Sequence, residues 1–150
     1  MTAFEILALA VLFGVPGYAW WVRGREYAVF GLVILLISLP GAMVMHARLV
    51  AWCSPAAAAW VHAAFVYGVA TAGLHMAGLV RARLRSGPFR WTISIPGMAF
   101  VAAGTLSGLW LLVLLPIRGA AALLGWHEVA AALRWLDLVP FAIAAVSVMT

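Results

Sequence analysis

The chain has 150 residues, 67% of them hydrophobic and 9% charged, with a mean hydropathy of +1.14. A soluble domain carries roughly a quarter charged residues. This composition therefore excludes a water-soluble globule and assigns much of the exterior to lipid. The charges are nine Arg and no Lys against four acids, a formal +5. The arginines fall between apolar runs, as topology charges do, which argues against nucleic acid as a partner.

Composition does not shift along the chain, and no repeat or low-complexity linker interrupts it, so one domain covering 1–150 is expected. Cys53 is the single cysteine, which excludes an intrachain disulfide and any CxxC redox or zinc motif. Glu5 is the only charged side chain before Arg23. Without a basic n-region, the first apolar stretch reads as a retained helix rather than a signal peptide.

A helix crossing a bilayer needs about 20 mostly apolar residues. The first such stretch runs from Thr2 to Val22 and ends in Tyr18, Trp20, Trp21 and Arg23, an aromatic and basic anchor for the interface. Gly14, Pro16 and Gly17 predict a kink in its last third. The second runs from Tyr27 to Val50, with a break expected at Pro40–Gly41. The third covers Ala56 to Val80, and the fourth Trp91 to Ile117, with Pro96 as a second choice of start. The expected fold class is all-α, a polytopic transmembrane helical bundle with four spans. Residues 119–137 predict either a helix lying at the interface or the beginning of a fifth span. A span over 129–150 would be long enough to cross, but it would bury Arg134 and Asp137, which at i and i+3 could pair. The last thirteen residues, Leu138 to Thr150, cannot cross alone and end without a polar tail, so the chain reads as the front of something longer.

Arginine placement orients the spans. Arg23 and Arg25 follow the first; Arg81, Arg83, Arg85 and Arg90 follow the third. Arg48 and Arg118 fall on the other side. Six against two predicts that the first group faces the cytoplasm and the N-terminus faces outward, in a bacterial inner membrane. Arg81, Arg83, Arg85 and Arg90 could also touch anionic lipid headgroups, although a topology role accounts for them.

Histidines are the main candidates for chemistry. His46 closes the second span, His62 opens the third and His127 follows the fourth, all near the outer face with Cys53 and Glu128. Imidazole, thiolate and carboxylate suit zinc or copper, which makes His46, His62 and His127 a candidate metal set without diagnostic spacing. The plainer reading is hydrogen bonding to headgroups, water or backbone. His62 and His75 share a helix and invite a haem reading, but thirteen positions at about 100° each leave them roughly 140° apart around the axis. A packed His75 bonded to Thr71 or a neighbouring helix is the expectation. Ser38, Ser94 and Ser107 lack an acid–base partner, Glu128 is not part of an HExxH, and no phosphate-binding glycine loop exists. No acid sits mid-span to couple protons, and Pro16, Pro40 and Pro96 read as kinks rather than the broken helices of a carrier. Ala64, Gly68 and Ala72, and the Gly104–Gly108 pair, are faces of small residues suited to close helix packing within the bundle, or secondarily between chains.

The segments Tyr18-Ala19-Trp20-Trp21-Val22-Arg23, the Pro40–Gly41 helix, Ala59-Trp60-Val61-His62-Ala63-Ala64-Phe65 and Leu136-Asp137-Leu138-Val139-Pro140-Phe141 together resemble the membrane region of membrane-bound bacterial metallophosphoesterases. In that family DxH, GDxxD and GNHD/E motifs build a two-metal hydrolase site. Asp137 is the only Asp here, so no catalytic residue carries over. The resemblance implies a noncatalytic membrane anchor, with a hydrolase domain and its divalent metals lying beyond Thr150. The alternatives are a complete small membrane protein serving as a complex subunit or carrier, and a metal- or haem-binding protein.

Overall fold

The computed structural model of the protein describes residues 1–81, 86–140 and 142–143. It is all-α: among the described residues there is no strand. Four helices are long and apolar enough to cross a membrane. They are α1 (Ala3–Arg23), α2 (Arg25–Trp52), α3 (Pro55–Val80) and α4 (Gly87–Leu123). A short α5 (His127–Ala132) and a 3-10 turn (Trp135–Leu138) follow. This is a helical membrane protein.

α1 and α3 begin where a side chain can satisfy a first-turn amide group. Thr2 and Glu5 form a reciprocal capping box, with Thr2 N–H donating to Glu5 Oε2 at 2.8 Å and Glu5 N–H to Thr2 Oγ1 at 3.3 Å. Ser54 caps α3 ahead of Pro55, whose missing N–H costs nothing in a first turn. Between α1 and α2 there is a single residue, Gly24, at φ 93°. Only glycine adopts that conformation without strain. Arg23 and Arg25, expected in a loop, therefore lie at the ends of two helices.

The helices form a diamond in cross-section. α2 and α3 touch across the middle, α1 packs against both from one side, and α4 packs against both from the other. On α1 the inward stripe is Phe4, Ala8, Val11, Val15 and Ala19, spaced for one face of a helix. Its first four members meet Leu35, Leu39, Ala42 and Met45 of α2 and Phe65 and Val69 of α3, and Ala19 packs with Ala28 and Val80. The outward faces carry Phe13, Phe30, Leu112 and Trp60, all exposed. Such a surface is stable only against lipid.

Where lipid is the solvent, helices have no hydrophobic gain from meeting each other, and close packing takes over. The tightest approach joins α2 and α4. A Cβ on Gly41 would strike Gly104 O and the backbone of Gly108; one on Gly108 would strike Ile37 O; one on Gly104 would lie 2.6 Å from Ser38 O. The expected glycine face of α4 is thus filled by α2 of the same chain. On α3, Gly68 receives the Phe100 ring, and Gly97 of α4 lies against the Thr71 backbone. Ala64, expected on the same packing face as Gly68 and Ala72, is exposed instead, and Phe65 takes the inward place.

Pro40–Gly41 does not break α2, which stays helical from Arg25 to Trp52. Neighbouring helices stabilise prolines inside membrane helices. At Pro96 that help is visible. Its missing N–H would have bonded Thr92 O; α4 widens into a π-type turn over Arg90–Ser94, and the Tyr67 hydroxyl of α3 donates to Thr92 O. The fourth helix therefore starts at Gly87, ahead of the expected Trp91.

α4 has 37 residues, about 55 Å of helix by its rise, against roughly 30 Å of hydrocarbon in a bilayer. It ends at Gly125, where φ is +76° and Trp126 N–H returns to Ala121 O at 2.9 Å. The chain then folds back along α4. The expected fifth span has residues 144–150 outside the described residues, as are Arg83 and Arg85. Its described part begins with a short helix and a 3-10 turn docked on the bundle.

Gly41→Ala is expected to cost about 1–3 kcal/mol, because the added methyl meets backbone that cannot yield. Gly14→Ala, which meets nothing within 4 Å, should be neutral or stabilising by up to about 1 kcal/mol. Unfolding in mixed detergent followed by circular dichroism would compare the two; equal destabilisation would contradict this packing.

Candidate functional site

Polar groups collect at the end of the bundle formed by the start of α1, the end of α2, the start of α3 and the end of α4. His46 of α2 and His62 of α3 face each other, with Nε2 and Nδ1 2.8 Å apart. One ring must donate and the other accept. The pair thus shares a single N–H, and each partner fixes the other's tautomer. His46 is buried among aromatic rings. Its centroid is 4.7 Å from Phe4, 5.1 Å from Phe65 and 4.6 Å from His62. Phe4 and Phe65 in turn meet edge to face at 5.4 Å. The cage keeps water from His46, which makes the His62 nitrogen its essential partner.

A second cluster surrounds Asp137, 1% exposed. Arg118 NH1 donates to Asp137 Oδ2 at 3.1 Å, and Arg118 NH2 lies 3.0 Å from Oδ1. The pair is thus one charge-assisted hydrogen bond, to Oδ2, with an ion contact beside it at Oδ1, which receives no hydrogen bond among the described residues. Arg48 Nε lies 3.3 Å from Oδ2 on the other flank. Trp52 stacks on Trp135 with centroids 4.6 Å apart, and Trp110 Nε1 donates to Leu136 O at 2.8 Å. Six side chains hold the returning segment down: Arg48 and Trp52 of α2, Trp110 and Arg118 of α4, and its own Trp135 and Asp137. Arg134, expected to pair with Asp137, is exposed. Asp137 instead faces inward to cations on other helices, Arg48 and Arg118, while Arg134 faces out.

The opposite end is simpler. Arg23 Nε donates to Val80 O at 2.7 Å and its guanidinium lies over the Tyr27 ring, while Arg81 lies over Tyr18. The two arginine groups that the sequence assigned to one side are therefore neighbours.

Of the candidate metal ligands, His46 and His62 come together and His127 does not join them. It opens α5 and is exposed. Among the described residues no group of three or more His, Cys, Asp or Glu could hold a metal ion. The two nitrogens face one another across a hydrogen bond. Around tetrahedral zinc at about 2.0–2.1 Å they would stand roughly 3.3 Å apart, so a metal would have to displace the shared proton and spread the rings. Thr71 donates to Tyr67 O and Gly68 O of its own helix. Ser38 and Ser107 are buried at the α2–α4 contact.

No protein-family model, curated protein or solved structure matches the chain. The site must be read from its own geometry.

Substitutions at His46, His62 and Asp137 probe it. His62→Phe leaves His46 Nε2 buried and unpaired and should destabilise by about 1–3 kcal/mol. His46→Phe/His62→Phe should cost less than the two single changes summed, the coupling being read from a double-mutant cycle. Asp137→Asn leaves two guanidinium groups around a neutral side chain, a loss of about 3–5 kcal/mol when a buried pair is broken. Faster proteolysis within 124–140, with the four long helices still protected, is the expected signature.

Proposed function

We propose that the chain is a noncatalytic membrane anchor, the membrane part of a metallophosphoesterase whose hydrolase domain follows Thr150. The observation that carries the anchor reading is the clamp on Asp137. The polypeptide leaving α4 returns to the bundle and is tied to two helices at once by Arg48 and Arg118. Such a hold on the segment after α4 is what an anchor needs if a following domain is to sit in a set position. The core supports the same reading. α2 and α4 meet backbone to backbone at Gly41, Gly104 and Gly108, a contact that favours a static scaffold over the rocking of a carrier.

The phosphoesterase part rests on the resemblance. Its Tyr18–Arg23 segment supplies Arg23 and Tyr18 to the contacts with Val80 and Arg81, and its Leu136–Phe141 segment contains the clamped Asp137. In this reading the four helices cross a bacterial inner membrane with the N-terminus outside. Arg23, Arg25, Arg81 and Arg90, with Arg83 and Arg85, face the cytoplasm and its anionic lipid.

The gene provides the decisive test. The reading frame past codon 150 should encode DxH, GDxxD and GNHD/E motifs, and a stop codon at that point removes the phosphoesterase reading. Purified 150-residue protein should hydrolyse no phosphodiester with added manganese; metal-dependent turnover would overturn the noncatalytic assignment. A cytoplasm-active reporter fused after Arg85 should be active, and silence there would reverse the orientation.

A further inference from the structure

We propose that Arg48 and Arg118 form a site for the phosphate of an anionic phospholipid headgroup. The inference does not depend on the anchor reading.

Charge is the first ground. Two guanidinium groups surround one carboxylate, which leaves a local surplus of one positive charge. Asp137 is fully enclosed, the Arg118 side chain is 13% exposed and that of Arg48 is 32% exposed. Surplus charge in so shielded a place is unfavourable unless an anion offsets it. The other charges at this end do not supply one. Glu5 engages the N-terminal amine at 4.0 Å and the Thr2 amide. Glu128 and Arg134 are exposed on the returning segment. His46 and His62 are taken up by each other.

Unused donors are the second ground. Arg118 NH1 donates to Asp137 Oδ2, while Arg118 Nε and Asp137 Oδ1 are both buried with no hydrogen-bond partner among the described residues. Arg48 reaches the carboxylate through Nε, leaving its terminal nitrogens for an outside acceptor. A buried donor without an acceptor is costly. Guanidinium donors beside surplus charge match the paired non-bridging oxygens of a phosphate.

The surroundings identify the phosphate as a lipid's. Trp52 and Trp135 stack beside the cluster, and Leu115, Ile117 and Leu136 expose apolar side chains close by in the sequence of the same elements. Tryptophan beside charge and aliphatic surface is the chemistry of the headgroup level. An anionic headgroup brings no cation of its own against Arg48, whereas a choline headgroup does.

Native mass spectrometry of the detergent-purified chain, with phosphatidylglycerol and phosphatidylcholine in competition, tests the proposal. Wild-type protein should retain phosphatidylglycerol preferentially; equal retention of both lipids overturns the site. Arg48→Gln should reduce the preference about five- to tenfold, the effect of one basic contact, while Arg48→Lys should keep most of it. Arg81→Gln, at the opposite end, should reduce it less than Arg48→Gln does; if Arg81→Gln reduces the preference as much or more, the lipid binds elsewhere and the proposal fails. Proteolytic protection of 124–140 in Arg48→Gln, expected because the Arg118 pair remains, separates a lost ligand from a lost fold. Inorganic phosphate supplies the last arm. If it stabilises the lipid-free protein as much as phosphatidylglycerol does, the site takes a soluble anion and the lipid assignment is wrong.

Discussion

The backbone contact between α2 and α4 governs the fold. Apolar side chains gain little from meeting each other when lipid can solvate them equally well. The bundle therefore coheres through surfaces that fit, and the best fit is where Gly41, Gly104 and Gly108 let the backbones of two helices meet. Carbonyl groups of Ile37 and Ser38 then lie against the glycine backbone of α4, close enough for weak Cα–H···O contacts. This contact sets the distance between α2 and α4, and that distance decides whether Arg48 and Arg118 can share one carboxylate. A shift of one helix by a methyl group's width would separate them.

The two ends of the bundle solve the same problem differently. At one end Arg23 satisfies a carbonyl at the close of α3 and the remaining arginine charge rests over tyrosine rings or faces solvent. Those contacts need little precision. At the other end, Asp137 and His46 are both enclosed, and each must find its partner on a different helix. Polar groups buried in this way specify a unique arrangement because the alternatives leave them unpaired.

The parts of the fold set by lipid were legible in the sequence. Twenty-residue apolar runs mark α1 to α4, and the arginine alternation correctly groups Arg23 with Arg81 and Arg48 with Arg118 in space. Pro40 misleads because proline's local effect on a helix is overridden by tertiary packing. Asp137 misleads in the same way. Its nearest cation in sequence is Arg134, and only a chain reversal at Gly125 brings it to cations nineteen and eighty-nine positions away. The signal that could have found the cluster was present: Arg48 and Arg118 assigned to one face, and Asp137, the only Asp in the chain, following the fourth span that ends there. The His46–His62 pair was half legible. Their shared depth follows from the alternation of spans, but that their nitrogens meet depends on how α2 and α3 are rotated, which periodicity alone does not fix.

Gly24 has a mechanical consequence. One residue of linker holds the last turn of α1 within about 7 Å of the first turn of α2, given roughly 3.8 Å between successive Cα atoms. A full-turn slide of α1 along its axis would be about 5.4 Å, too much for such a joint to absorb without moving its neighbour. The first two helices therefore behave as a single lever with its pivot at the arginine end. Any push on Thr2 or Phe4 is delivered to α2, and through it to the aromatic cage around His46.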